Sequence, residues 1–271
     1  TPLYSSAASD VYKRQELRNE KYDYLFNFHR YGSSAIISIF SGARFKATYE
    51  NSYLSCLYTR TVPHKIGDGT HEIHRISMLV NSLLPIKPDY FPEKKRKKEK
   101  HIVIGPASRL NTKQPIPQFW QFIISKITSE FMDTTVYVIG SKDDLPYINR
   151  ILNLLANCKN LVNTAGKITL DEAFHLISTS ICYIGVDSAP LHIATLSNVP
   201  AIAVYCSTSP SLGFYPLSSR FLIIEPYYEL ACRPCGITGK KNCPLAHFLC
   251  GSSFKLPDVW RKIKTFISHL S

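Results

Sequence analysis

The segment YIGVDSAPLHIA brings an acid, a hydroxyl and an imidazole together: Asp187, Ser188 and, four residues after the serine, His192. The preceding residues, ICYIGV, form an unbroken apolar run that suits a buried strand, and SAPLHIATLS has helical spacing. His192 then lies one turn beyond Ser188, near the same helix face. An acid, a hydroxyl and an imidazole gathered at a strand's carboxyl end suit a binding site. A plainer reading gives Asp187 or Ser188 to helix capping and His192 to the core. On these residues alone both readings stand.

A second polar cluster lies earlier, in GPASRLNTKQPIP. Ser108, Arg109, Asn111, Thr112 and Lys113 crowd hydroxyls, an amide and two cations ahead of a proline-started helix. That composition favours an anion, although it is neither a P-loop nor a GxGxxG. In GSKDDLP, Asp143 and Asp144 are able to accept hydrogen bonds from sugar hydroxyls, and helix capping is the commoner reason for aspartate there. STSPSLGFYP, after the strand AIAVYC, has the serine, proline and glycine content of a loop at a site mouth. Four of the eight cysteines fall close together, Cys232, Cys235, Cys243 and Cys250, with His247 among them. The pattern C-x2-C-x7-C-x6-C permits tetrahedral zinc but is no standard zinc signature, and reduced thiols are the weightier reading.

The elements that must hold these groups follow from periodicity. HIVIG, TTVYVIG, NLVNTAG, ICYIGV and AIAVYC read as strands, and helices are expected at IPQFWQFIISKIT, LPYINRILNLLAN, TLDEAFHLIS and SAPLHIATLS. Apolar strands alternating with helices define a parallel sheet covered on both faces, a Rossmann-like doubly wound α/β domain. Ligands of such sheets sit beyond the carboxyl ends of the strands, where both polar clusters fall. Upstream, KYDYLFNF suits a strand, SSAIISIFSGA a capped helix closed by Gly42, and HEIHRISMLVNSLL a helix. LPDVWRKIKTFISHL reads as a final amphipathic helix capped by Asp258, its apolar face turned to the protein itself.

This divides the chain into residues 1–15, a leader unlike the rest and read as an adaptor remnant; 16–90, part of an N-terminal α/β domain; 91–101, a basic linker; and 102–271, the second α/β domain. The formal charge is +12, and Lys94, Lys95, Arg96, Lys97, Lys98 and Lys100 place a net +4 in the linker. A solvated linker is the simplest account, with contact to acidic lipid head groups the functional alternative. No zinc-finger or RNP pattern supports nucleic acid as a partner. No run reaches the roughly 18 to 20 apolar residues of a membrane-spanning helix, so a soluble, cytoplasmic protein is expected.

GVDSAPLHIATLSNVPAIAVYCSTSPS resembles the signature of glycosyltransferase family 9, the lipopolysaccharide heptosyltransferases: D-[ST]-[GA]-x-x-H-[LIV]-A-A-x-x-x-x-P, then a strand and a G-x-[ST]-x-P loop. ASRLNTK, VIGSKDD and AGKITLDEAFHLI match its supporting segments in order, and the C-x-P-C…C-P…H…C stretch has a counterpart in members close to the second-heptose enzymes. Ala189 stands where the family usually has glycine, Cys206 and Ser207 where it has Gly-Pro, and KQPIP where lysine precedes Trp-Pro.

The resemblance implies a bacterial GT-B enzyme that transfers heptose from ADP-heptose to the lipopolysaccharide inner core with inversion, requiring no metal or other cofactor, at the inner membrane's cytoplasmic face. It implies that Ser108, Arg109 and Lys113 meet the diphosphate, Lys113 stabilising the leaving group. Asp187, Ser188, Ala189 and His192 would line the same pocket, and Ile168 would flank adenine. The family's general base, an aspartate near the start of the N-terminal domain, is expected to lie outside this chain, leaving weak donor binding and poor transfer. Rival readings are a member using another nucleotide sugar, and a non-catalytic zinc or nucleic-acid module on a degenerate Rossmann-like core.

Overall fold

Two parallel sheets organise the part of the chain that the computed structural model describes, residues 15–86 and 98–270. The chain clusters into two units, Thr1–Asp89 and Tyr90–Ser271. Almost all of the expected leader, and most of the basic linker, lie outside the described residues.

In the first unit β1 (Tyr24–Asn27), β2 (Phe45–Tyr49) and β3 (Arg60–Val62) pair in that order, with helices α1 (Gly32–Ile39) and α2 (Glu72–Asn81). Ala47, Tyr49, Val62 and Leu79 form its small core. Arg75 is buried there, its guanidinium 2.8 Å from Glu72 and donating to the carbonyls of Lys65 and Thr70. Strands β2 and β3 went unforeseen, and α1 is not capped by a serine: Tyr31 holds the cap position, and Ser34 donates back to its carbonyl.

The second unit carries six strands: β4 (His101–Gly105), β5 (Thr135–Val138), β6 (Leu161–Asn163), β7 (Cys182–Val186), β8 (Ala201–Val204) and β9 (Phe221–Ile224). Their spatial order is β6-β5-β4-β7-β8-β9. The chain therefore builds outward from β4 in one direction and then restarts at β7 on the other side. That reversal opens a crevice between β4 and β7, the position where doubly wound sheets take ligands. Side chains alternate across the sheet. Ile102 and Ile104 face Phe119, Trp120, Ile123 and Ile127 of α3 (Pro117–Glu130), while Val103 and Tyr183 face Ile177 and Leu191. The latter two lie on α5 (Leu170–Thr179) and α6 (Ala189–Leu196), and α4 (Leu145–Leu152) contributes Ile148 and Ile151 to the first face.

Helix α5 starts as its sequence dictates. Thr169 accepts from the Glu172 amide at 3.2 Å, and the Glu172 carboxylate accepts from the Thr169 amide at 2.7 Å. This reciprocal capping fixes the rim of the crevice. After the short α7 (Leu249–Ser252), α8 (Leu256–Ser268) buries Val259, Trp260, Ile263 and Ile267 against the same core as α3. Its amphipathic face is thus occupied by the protein. Lys255 rather than Asp258 holds the cap position, and Asp258 instead pairs with Arg261 at 3.0 Å.

Candidate functional site

The crevice is a cleft of about 660 Å³ over the carboxyl ends of β4, β5 and β7. Of the residues expected from sequence, Ser108, Arg109, Lys113, Asp143, Asp144, Ile168, Asp187, Ser188 and Ala189 line it. His192 does not. It leaves α6 with more than a third of its surface exposed, so it is not a core histidine. Neighbouring protein still crowds the ring and lowers its pKa; Asp187 opposes that shift and Lys113 adds to it.

At the centre of the cleft Lys113 Nζ sits 2.8 Å from Asp187 Oδ2, and the same oxygen accepts from the Thr208 hydroxyl at 2.9 Å. Both partners are largely withdrawn from solvent, with side chains 14% and 8% exposed. The two donors, one of them a cation, compensate the carboxylate for the water that burial removes. The pair spans the sheet reversal, joining the loop after β4 to the end of β7. Asp187 therefore does not cap α6. Ser188 occupies the cap position, but its hydroxyl is turned to the Val186 carbonyl at 3.3 Å and caps nothing. Pro190 carries no amide hydrogen and the Leu191 amide donates to the Ser188 carbonyl at 3.0 Å, which leaves the amide of Ala189, a lining residue of the cleft, without a side-chain cap.

The 108–114 loop owes its shape to two ties. The Gln114 amide donates to the Ser108 carbonyl, closing the loop on itself. Thr112, 3% exposed, then clasps the segment that follows the cysteine pair. Its hydroxyl donates to the Lys240 carbonyl at 2.7 Å and accepts from the Lys240 amide at 2.8 Å and from the Ser207 hydroxyl at 3.0 Å. This clasp brings Thr238 to the edge of the cleft. Gly239 makes the approach feasible. Its φ is +82°, and a methyl there would lie 2.9 Å from Ser207 Oγ and 3.0 Å from Lys113 Cγ. Gly239→Ala is accordingly expected to lose about 1 kcal/mol of stability, as a left-handed non-glycine residue does, measured by denaturant unfolding.

The remaining expectations divide. Asp144 is engaged locally, its Oδ2 accepting from the amide and hydroxyl of Ser141 at 2.8 and 2.7 Å, and it lines that rim beside Asp143. The STSPSLGFYP loop does not line the mouth of this cleft. Ser207 and Thr208 are buried behind it, where they hold Thr112 and Asp187. All eight cysteines are thiols. Cys232, Cys235, Cys243, Cys250 and His247 border a separate, mostly apolar cavity of about 260 Å³, with Cys232 Sγ 3.8 Å from His247 Nε2. Burial first, then the neighbouring thiols, push Cys250 up to about 11. Among the described residues no three His, Cys, Asp or Glu side chains are gathered closely enough to hold an ion.

The cleft is thus lined by the Lys113 ammonium, the Arg109 guanidinium and the Ser108 and Ser188 hydroxyls together with apolar Ile139, Ile168, Leu170 and Ala173. Such a site fits a molecule with an anionic part and a flat apolar part. Residues 12–241 match the family model described as glycosyltransferase family 9 (heptosyltransferase), and the chain belongs to this family. It is 26% identical over 214 residues to lipopolysaccharide heptosyltransferase 3 of Escherichia coli, covering 71% of this chain and 62% of that protein. It is also 38% identical over 92 residues to lipooligosaccharide heptosyltransferase 2 of Haemophilus influenzae, 33% of this chain and 26% of that one. The chain thus spans less than two thirds of the curated relatives it matches. Among solved structures, E. coli ADP-heptose lps heptosyltransferase II superposes with a TM-score of 0.65 at 18% identity, over 95% of this chain and 81% of that one. A family 9 glycosyl transferase from Veillonella parvula gives 0.73 at 12% identity, over 99% and 80%. These likenesses establish the GT-B α/β fold.

Proposed function

We propose that this chain is a glycosyltransferase that takes heptose from ADP-heptose and places it on the lipopolysaccharide inner core with inversion. The observation that carries the reading is the Lys113–Asp187 pair at the β4/β7 reversal, beside the start of α6 at Ala189. Transfer expels a nucleoside diphosphate, and negative charge grows on its phosphate oxygens as the glycosidic bond breaks. A fixed ammonium at that position lowers the barrier without reorganising. Asp187 holds Lys113 in place, Arg109 and Ser108 supply further donors, and Ile168, Leu170 and Ala173 offer the base an apolar wall. Asp187 is engaged by Lys113 and Thr208, which commits its Oδ2 to holding the cation. The role of general base falls to a group outside this pair.

Two similar structures support the ligand class by their descriptions: an ADP-heptose lps heptosyltransferase, and the E. coli heptosyltransferase WaaC with ADP, TM-score 0.67 at 15% identity over 96% and 77% of the two chains. No described helix is long and apolar enough to cross a membrane. The reading places the protein at the cytoplasmic face of the inner membrane, with the basic segment around Lys98 and Lys100 meeting acidic head groups. The direct check is competition against a fluorescent ADP probe. ADP-heptose is expected to displace it at least ten-fold better than UDP- or GDP-sugars, about 1.4 kcal/mol of discrimination. Preference for another nucleotide would assign a different donor, and failure of every nucleotide to bind would sink the reading.

A further inference from the structure

One buried polar group beneath the cleft is unexplained by packing. Tyr183 of β7 is fully buried, yet its hydroxyl meets no hydrogen-bond partner among the described residues. An orphaned buried hydroxyl is costly and calls for a reason. The chain has also made room for it. Methyl groups at Gly105 and at Gly185 would each lie 2.2 Å from the Tyr183 oxygen, so both strand positions must lack a side chain. Phenylalanine at 183 would fill the same space without the orphan.

The hydroxyl lies where β4 and β7 end, next to Gly105, which lines the cleft, and close enough to the Ser188 hydroxyl to feel it. Ser188 is poorly committed, with a single long hydrogen bond of 3.3 Å to Val186 and no capping contact. We propose that Tyr183 is a positioning residue for the donor diphosphate, giving its hydrogen to Ser188 Oγ when Ser188 turns its own toward a phosphate oxygen. The relay Tyr183–Ser188–phosphate satisfies all three groups in the bound state. Burial holds the phenol far above its ordinary pKa, Ser188 working slightly the other way, so the group is a donor at any physiological pH.

This inference rests on the donor-site reading of the cleft. Its test is Tyr183→Phe in the whole chain, titrated with ADP and with adenosine and melted in the absence of ligand. ADP affinity is expected to fall about ten-fold, the worth of one hydrogen bond to a charged network. Adenosine binding should be unchanged, and the melting temperature unchanged or higher. In a Ser188→Ala background the same substitution should weaken ADP no further. Unchanged ADP affinity, equal weakening of ADP and adenosine, or additive losses with Ser188→Ala would each overturn the relay. Wild-type protein that binds no ADP would overturn the donor reading itself, and the relay with it.

Discussion

Lys113→Ala is expected to weaken ADP binding about 100-fold, the upper range for one charge-assisted hydrogen bond. It also strips a largely buried carboxylate of its cation. Breaking such a pair costs about 3–5 kcal/mol when both partners are fully enclosed. Here the side chains keep 14% and 8% of their surface and Thr208 still donates to Asp187, so a loss of about 2–3 kcal/mol is expected. Adding Asp187→Ala removes the unpaired charge and should restore most of that stability without restoring affinity. Urea unfolding and calorimetric titration of the single and double variants separate the two effects. A Lys113→Ala variant that keeps wild-type ADP affinity would show that the cation serves only the fold.

Thr112→Val should act on the same loop without touching a charge. The substitution preserves shape and removes the oxygen shared by the Lys240 amide, the Lys240 carbonyl and the Ser207 hydroxyl. Ser207 is 1% exposed and has no water to turn to, so about 2–3 kcal/mol is expected to be lost. The loss is local as well as global. Once the 236–241 segment is freed, trypsin should cut at Lys240 or Lys241 several times faster than in wild type, before the domain unfolds. Unchanged cleavage with unchanged stability would mean that the backbone bond from the Thr112 amide to the Lys240 carbonyl, at 3.2 Å, suffices.

The architecture of the second unit was legible because its strands are buried on both faces. HIVIG, CYIGV and AIAV are unbroken apolar runs, a pattern open to few readings when each is followed by a helical period. Three strands escaped for different reasons. FKATY carries a lysine mid-strand, RTV is three residues at a sheet edge, and FLII ends the other sheet without a helix after it to complete the pattern. The site was legible in its membership but not in its wiring. Asp187 looked like a cap because capping is a local event, whereas its partner Lys113 lies 74 residues earlier in the chain and reaches it only because β4 and β7 are neighbours. The reverse happened at Asp144, whose reciprocal hydrogen bonds with Ser141 are a local signature. Thr238 and Tyr183 left no trace of their roles. One arrives through a glycine turn behind the cysteine pair, and the other differs from its apolar neighbours by a single buried oxygen.

The claim beneath all of this is that the β4/β7 cleft holds a nucleoside diphosphate. Isothermal titration of ADP into the wild-type chain, beside the Lys113→Ala, Asp187→Ala variant, tests it most directly. One-to-one binding in roughly the micromolar range, about −8 kcal/mol, that disappears in a folded double variant is the expected result. Absence of heat in wild-type protein shown to be folded, or equal affinity in the variant, would contradict it.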